Sequence, residues 1–259
     1  MSGVAAAIVI PARLASTRLP RKLLLRDTGK TLIQHTYEAA SRSRLAAEVL
    51  VAADHAEIRE AVEAFGGRVV MTDPQAASGS DRLAEVAAAR ADLEVLVNVQ
   101  GDEPEIDAAA IDRLIELLAG DPTVDFATLA TPIRDAERLH NPNCVKVVCD
   151  GRMNAMYFSR SPIPYPRQWD DALLHSDPPL FLQHVGLYAY RRELLLQFPS
   201  LPPSQLEEVE KLEQLRLLQA GRRCRVALHE HGVAGIDTAE DYSAFVQRQR
   251  AGEDTSRLP

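Results

Sequence analysis

Short apolar runs separated by helix-length stretches constrain this chain more than any other feature. Val4–Ile10, Glu48–Ala53 and Val95–Gln100 are almost continuously apolar. A strand covered on both faces has no solvent side, so it lacks the alternation of a half-buried strand. Between these runs the spacing is helical. Thr31 is placed to cap a helix running to about Ser43, with Leu32, Ile33, Thr36 and Ala40 inward. A second helix is expected from about Ala56 to Phe65, stopped by Gly66-Gly67, then a short strand over Arg68–Met71, and helices over Asp81–Ala91 and Ala108–Ala119. The order β-α-β-α-β-α-β-α predicts an α/β fold with an open, doubly wound, mostly parallel sheet. Ligands of such sheets bind beyond the carboxyl ends of the strands. The segments that follow the runs therefore matter: a basic loop, Asp54 and Asp102.

From Phe126 the pattern changes. Phe126–Ile133, Cys144–Asp150, Asn154–Ser159 and Leu180–Arg191 predict strands of a mixed or antiparallel extension. The proline-rich stretch 161–179, which holds Trp169, predicts a long loop. Gln205–Ala220 predicts one helix ending at Gly221, Arg225–His229 a last strand and Asp237–Arg248 a last helix. With 259 residues and no internal repeat, one α/β domain is expected over 1–250, with a flexible tail over 251–259.

The basic loop lies in Ile8–Leu24, IVIPARLASTRLPRKLL. Arg13, Arg18, Arg21 and Lys22 are close together, with the hydroxyls of Ser16 and Thr17 between them. The whole chain is acidic, with 29 Lys and Arg against 37 Asp and Glu and a net charge of -8. That excludes the broad basic face of a general nucleic-acid binder and leaves the local charge for a small polyanion, most simply a nucleoside triphosphate. Neither G-x-G-x-x-G nor G-x-x-x-x-G-K-[ST] occurs, so a dinucleotide fold and a P-loop are set aside. Side chains would have to hold the phosphates, arginine by paired donors and lysine as a point charge. No run reaches the roughly 20 apolar residues of a membrane span, and the first residues lack the basic start of a signal peptide. A cytoplasmic protein without a membrane partner is expected. Cys144, Cys149 and Cys224 show no paired spacing and read as reduced, structural thiols.

Three further positions could carry chemistry. Asp102, in Gly-Asp-Glu-Pro directly after an apolar strand, suits Mg²⁺, a hard cation that takes oxygen ligands, and equally suits a turn. Asp237-Thr238-Ala239-Glu240 reads first as a helix cap with its capping-box glutamate, which leaves one carboxylate oxygen free to ligate. His184 and Tyr188 share one face of a strand, a spacing that does not separate a structural histidine from a catalytic one. The acids of Glu207–Gln219 would ordinarily be solvated, opposite Val209, Leu212, Leu215 and Leu218.

The segments IVIPARLASTRLPRK, ASGSDRLAEV, NVQGDEP, NPNCVKVV, YFSRSPIPY, QHVGLYAYR, LEEVEKLEQLR and GIDTAEDY, taken in order, resemble the 3-deoxy-manno-octulosonate (Kdo) cytidylyltransferases, from about Ile8 to Tyr242. The resemblance implies a nucleotide-diphospho-sugar transferase type of fold, with a nucleotide-binding part to about residue 125 and a sugar-binding and dimerisation part over 126–225. It also implies a homodimer that transfers CMP from CTP to the anomeric hydroxyl of Kdo, for lipopolysaccharide biosynthesis. By the same resemblance, Arg13, Arg18 and Lys22 would hold the triphosphate, and Ser78, Gly79 and Arg82 would line the cytidine pocket. Asp102 and Asp237 would bind catalytic Mg²⁺. Gln100, Arg160, His184, Tyr188, Glu213 and Gln214 would surround the sugar acid, with Arg160 facing its carboxylate. A second Mg²⁺ on the outer phosphates would help the pyrophosphate leave. The chain departs from the family pattern at Arg21 (usually Gly), Ser80 (usually Thr), Ala76-Ala77 (near a usual His) and Tyr165 (usually Trp). None of these removes a charged catalytic position. Alternatives left open are CMP activation of sialic acid or an amino-Kdo, and a non-catalytic nucleotide-binding protein on the same fold.

Overall fold

The computed structural model describes residues 4–16, 18–76, 78–230 and 235–251; Thr17, Ala77 and the expected tail beyond Ala251 lie outside them. The early apolar runs form parallel strands β1 (Ala6–Ala12), β2 (Glu48–Ala53) and β4 (Val95–Asn98), with β3 (Arg68–Met71) beside β2. β1 is flanked by β2 and β4, so Ile8 lies between Val49 and Val97. Alternate residues of β1 serve two cores: Ile8 and Ile10 face one layer, Ala7 and Val9 the other, all at 0% exposure. Two-sided burial is why the run does not alternate. Each such Ile or Val contributes about 1.5–3 kcal/mol.

Helices α1 (Leu32–Ala40), α2 (Ala56–Ala64), α3 (Gly79–Ala89) and α4 (Ala108–Gly120) cover the sheet where helices were expected. The Thr31 hydroxyl caps α1 by accepting from the Gln34 N–H. α3 begins earlier than the spacing predicts because Ser78 and Asp81 form a reciprocal capping box.

The second half supplies β5 (Phe126–Pro132), β6 (Lys146–Cys149), β7 (Ala155–Ser159), β8 (Leu182–Arg191) and β9 (Cys224–Leu228). The sheet order is β3-β2-β1-β4-β8-β5-β9, with the β6–β7 hairpin attached to the start of β8. β8 runs antiparallel to both β4 and β5, while β5 and β9 are parallel. One mostly parallel sheet therefore passes through both halves, as expected for the fold class. β8 has ten residues, enough to pair with β4, β5 and β6 along different parts of its length. Its register against β5 slips between Thr128 and Leu129, whose partners are Tyr188 and Val185. The extra residues form a bulge, a feature that re-aims side chains locally.

Four local expectations change. The helix expected over Gln205–Ala220 is two, α7 (Gln205–Glu210) and α8 (Gln214–Gln219). It breaks because Lys211 takes a left-handed backbone, φ 54. α5 (Ala136–His140) and α6 (Arg192–Gln197) were not foreseen; five or six residues are too few for a periodic signal. The loop over 161–179 contains a 3-10 turn at Asp171–His175. The last helix, α9 (Ala239–Ala251), starts after Asp237 rather than at it.

Candidate active site

The carboxyl ends of β1 and β4 lie side by side, and two loops leave them together. Leu23, 7% exposed, anchors the first loop against the second. A Cβ on Gly101 would sit 3.2–3.3 Å from the Leu23 methyls and 3.3 Å from the Pro11 carbonyl, so glycine is what lets the loops approach this closely. The Thr36 hydroxyl donates to the Gly101 carbonyl at 2.9 Å and fixes that approach from α1. Lys22, one residue before the anchor, is thereby placed beside Asp102, one residue after Gly101. Its ammonium donates to Asp102 Oδ2.

A third segment closes the group. The Ile236 N–H donates to the Asp102 carbonyl at 2.9 Å and brings Asp237 alongside. Lys22 Nζ also donates to the Ile236 carbonyl at 2.7 Å and to Asp237 Oδ1 at 3.4 Å, and Arg18 Nη2 lies 2.9 Å from the same Asp237 oxygen. Arg18, Lys22, Asp102 and Asp237 are thus brought together from three distant parts of the chain. The cap expected at Asp237 falls one residue later. The Thr238 hydroxyl accepts from the Asp241 N–H, and the Asp241 carboxylate accepts from the N–H groups of Thr238 and Asp237. The Asp237 carboxylate is released from capping and faces the cations.

Neighbouring Glu103 was not singled out by the sequence. It is 8% exposed, with Oε2 buried and without a hydrogen-bond partner. Burial, with the adjacent Asp102 charge, pushes its carboxyl up to about 8. At neutral pH the Glu103 carboxyl therefore adds little negative charge to the Gly-Asp-Glu-Pro turn.

The residues expected around the cytidine flank this cluster. Arg13 Nη2 donates across to the Ala76 carbonyl at 3.1 Å. Ser78 caps α3, and Gly79 lies against Pro11 and near the Asn98 amide. Arg82 lies on α3, beneath the loop after β1. Its guanidinium is buried, bonded to the Thr72 hydroxyl at 2.7 Å and the Asp73 carbonyl at 2.9 Å, and 3.5 Å from Asp54. Burial lowers its pKa, and Asp54 opposes that shift. Asp54 Oδ1 also accepts the Leu14 N–H at 3.0 Å, so Arg82 and Asp54 brace the loop after β1 from beneath.

The residues expected around a sugar acid lie mostly along β8 and the α7–α8 break. Tyr188 sits between Asn98 and Thr128 in register. His184 Nε2 is 3.0 Å from the Thr128 hydroxyl, which lies 3.0 and 2.8 Å from the Val185 and Leu187 carbonyls. With the hydroxyl proton committed to a carbonyl, the ring donates from Nε2, and Nδ1 is left as an acceptor. Burial holds the imidazole down to about 3, so it is neutral at working pH. Its ring packs against Phe158 and Tyr188, centroids 4.9 and 5.2 Å away. Glu213, at the break after Lys211, accepts from the Ser80 hydroxyl at the start of α3. That contact points the acid inward and joins the two parts of the site. Gln100 reaches Asn98 Oδ1 at 3.5 Å, and Gln214 is buried with its amide nitrogen unpartnered.

Arg160 is held at the β6–β7 end. Its Nε donates to the Glu210 carbonyl at 2.6 Å, its Nη1 to Pro142 at 3.0 Å, and its N–H to the Glu210 carboxylate at 2.9 Å. Lys146, given no role from the sequence, supports this arrangement. It is fully buried and donates to the carbonyls of Asn141, Cys144 and Arg160 at 3.0, 2.6 and 2.6 Å. Three acceptors match its three donors, a condition for burying a lysine. A lysine inside an apolar strand pattern was the available signal.

A cytidylyltransferase family model matches residues 7–224. The chain is 52% identical to a 3-deoxy-manno-octulosonate cytidylyltransferase of Rhodopirellula baltica, over 93% of this chain and 97% of that one. It is 48% identical to the enzyme of the same description from Geobacter sulfurreducens, with the same coverage of each. Among solved structures it resembles a CMP:2-keto-3-deoxy-manno-octonic acid synthetase complexed with CTP, with a TM-score of 0.88, 41% identity, and coverage of 96% of this chain and 100% of the other.

Proposed function

This chain belongs to the cytidylyltransferase family, and from that premise we propose how its site works. It transfers CMP from CTP to the anomeric hydroxyl of 3-deoxy-D-manno-octulosonate, giving CMP-Kdo and pyrophosphate. One observation carries the catalytic reading: Asp102, Asp237 and the Ile236 carbonyl gather around a single cationic group, with Arg18 beside it.

Mg²⁺ is the proposed cofactor, and the donor set fits it. Three oxygens already surround an ammonium, and hard oxygen donors suit Mg²⁺. Asp102 and Asp237 would hold it, and when bound it supplies a Lewis acid that lowers the pKa of the attacking hydroxyl. The remaining work falls to the chain itself. Arg13, Arg18 and Lys22 carry the positive charge that stabilises a departing pyrophosphate. Arg160, whose Nε and Nη1 are held by the Glu210 and Pro142 carbonyls, offers its remaining donors to the sugar carboxylate. Neutral His184 accepts a hydrogen bond from a sugar hydroxyl at Nδ1, and the Tyr188 hydroxyl, kept protonated by burial, donates one. These neutral groups orient the sugar and leave its ionisation to the cationic centre. Ser78 and Gly79 would present backbone groups to the cytosine edge.

A cytoplasmic homodimer serving lipopolysaccharide biosynthesis completes the reading. The homodimer part is supported by a group of exposed apolar side chains on β7 and α7. The deciding experiment is pyrophosphate release from CTP and Mg²⁺ with Kdo, sialic acid or no acceptor. Release is expected with Kdo alone, and equal or faster release with sialic acid would overturn the assignment.

A further inference from the structure

We propose that in the ligand-free protein Lys22 occupies the divalent cation's place between Asp102 and Asp237, so that the metal is admitted only when a triphosphate draws the lysine away. The inference rests on the metal reading given above. An ammonium has three donors, and here three oxygens meet them: Asp102 Oδ2, the Ile236 carbonyl at 2.7 Å and Asp237 Oδ1 at 3.4 Å. The same three oxygens are the set that would hold the metal. One seat thus has two candidate occupants of like charge, which exclude one another.

Local charge sharpens the competition. Lys22 and Arg18 balance Asp102 and Asp237 one for one, and Asp241 alongside adds a single further acid, fewer charges than a divalent cation brings. The Lys22 side chain is 11% exposed and that of Asp102 26%, so solvent screens an added charge only in part. A divalent cation arriving alone would leave this pocket with excess positive charge. A triphosphate supplies the missing negative charge and gives both basic side chains somewhere to go. Each is able to move: Lys22 has a flexible four-carbon stem, and the Arg18 side chain is 69% exposed. Leu23 stays buried, so Lys22 can swing without the loop leaving its anchor. Nucleotide and metal therefore bind with positive coupling, and neither loads the site well alone.

The test uses the full chain without nucleotide and Mn²⁺ as the probe, with free Mn²⁺ read by electron paramagnetic resonance. Wild type is expected to bind Mn²⁺ weakly. Lys22→Met is expected to bind it at least about tenfold more tightly, and Lys22→Met with Asp102→Asn to lose that gain. Lys22→Gln, which keeps hydrogen-bond donors but no charge, should behave like Lys22→Met and serves if the methionine variant does not fold. Circular dichroism and thermal unfolding confirm that each variant is native. Wild type binding as tightly as Lys22→Met would overturn the inference and leave the metal reading standing. Mn²⁺ binding to none of the variants would overturn both.

Discussion

Arg21 stands out in the sequence, but the sequence does not place it. Among four cations in the loop it invites a phosphate contact, yet its guanidinium turns away from the site and pairs with Glu57 on α2. Its backbone, φ 55 and ψ 31, explains why glycine suits the position. A left-handed conformation costs an L-residue about 1–2 kcal/mol. The ion pair joins side chains that are 56% and 39% exposed, and pairs this open give about 0–1 kcal/mol. The strain is at least as large as the pair, so Arg21→Gly is expected to lie between unchanged and about 1 kcal/mol more stable in urea unfolding. A loss of stability would show the Glu57 contact to be the dominant effect. His184 supplies a pH test. Its folded pKa of about 3 lies below its ordinary 6.5, so between those values the unfolded chain binds more protons. Its contribution to stability therefore falls as pH drops through that window, by about 2 kcal/mol from pH 7 to pH 5. Denaturant titrations at both pH values should show a shallower loss in His184→Gln. Equal slopes would mean that the imidazole is not held neutral.

At the scale of elements, legibility followed length and locality. β1, β2, β4 and α1–α4 were readable because each is an apolar run or a periodic stretch of sufficient length, in places with a local cap or stop such as Thr31 or Gly66-Gly67; the Ser78 cap of α3 was not read. The placement of β8 between β4 and β5 was not readable, because strand order depends on pairings between residues about ninety apart in sequence, such as Asn98 with Tyr188. The α7–α8 break was missed for a different reason. Apolar spacing persists through it, and only the positive φ at Lys211 ends the helix. The break has a consequence for the site. It leaves Glu210 free to bind the Ser159 hydroxyl at 2.6 Å and the Arg160 N–H at 2.9 Å, so α7 clamps the segment that carries Arg160. Glu210→Ala removes both contacts and should cost about 1.5–3 kcal/mol. It should also raise KM for the sugar acid severalfold while leaving KM for CTP near wild type. An equal rise in both would mean that the clamp supports the fold generally and not Arg160.

At the scale of the whole molecule, charge limits where two copies could meet. Each chain carries -8, so two copies repel over most of their surfaces and need a contact face poor in unpaired acids. β7 and α7 offer one. Met156, Leu206 and Val209 are 65%, 41% and 83% exposed, and Tyr165 beyond β7 is 85% exposed. Of the three acids on α7, two are engaged, Glu207 by Arg216 and Glu210 by Ser159 and Arg160, and only Glu208 is left exposed without an ion-pair partner among the described residues. Large apolar side chains this open lose little by mutation within one chain and more if a second copy covers them. The proposed homodimer therefore predicts that Met156→Asp and Val209→Asp each shift the protein from dimer to monomer in sedimentation velocity. Chemical stability of the monomer should stay within about 0.5 kcal/mol of wild type, because neither side chain packs in either core. Dimers that persist unchanged in both variants would place the contact elsewhere. Arg160 lies one residue past the end of β7, so a contact on this face would also brace the sugar side of the site. Weakened variants should then lose affinity for the sugar acid before they lose affinity for CTP.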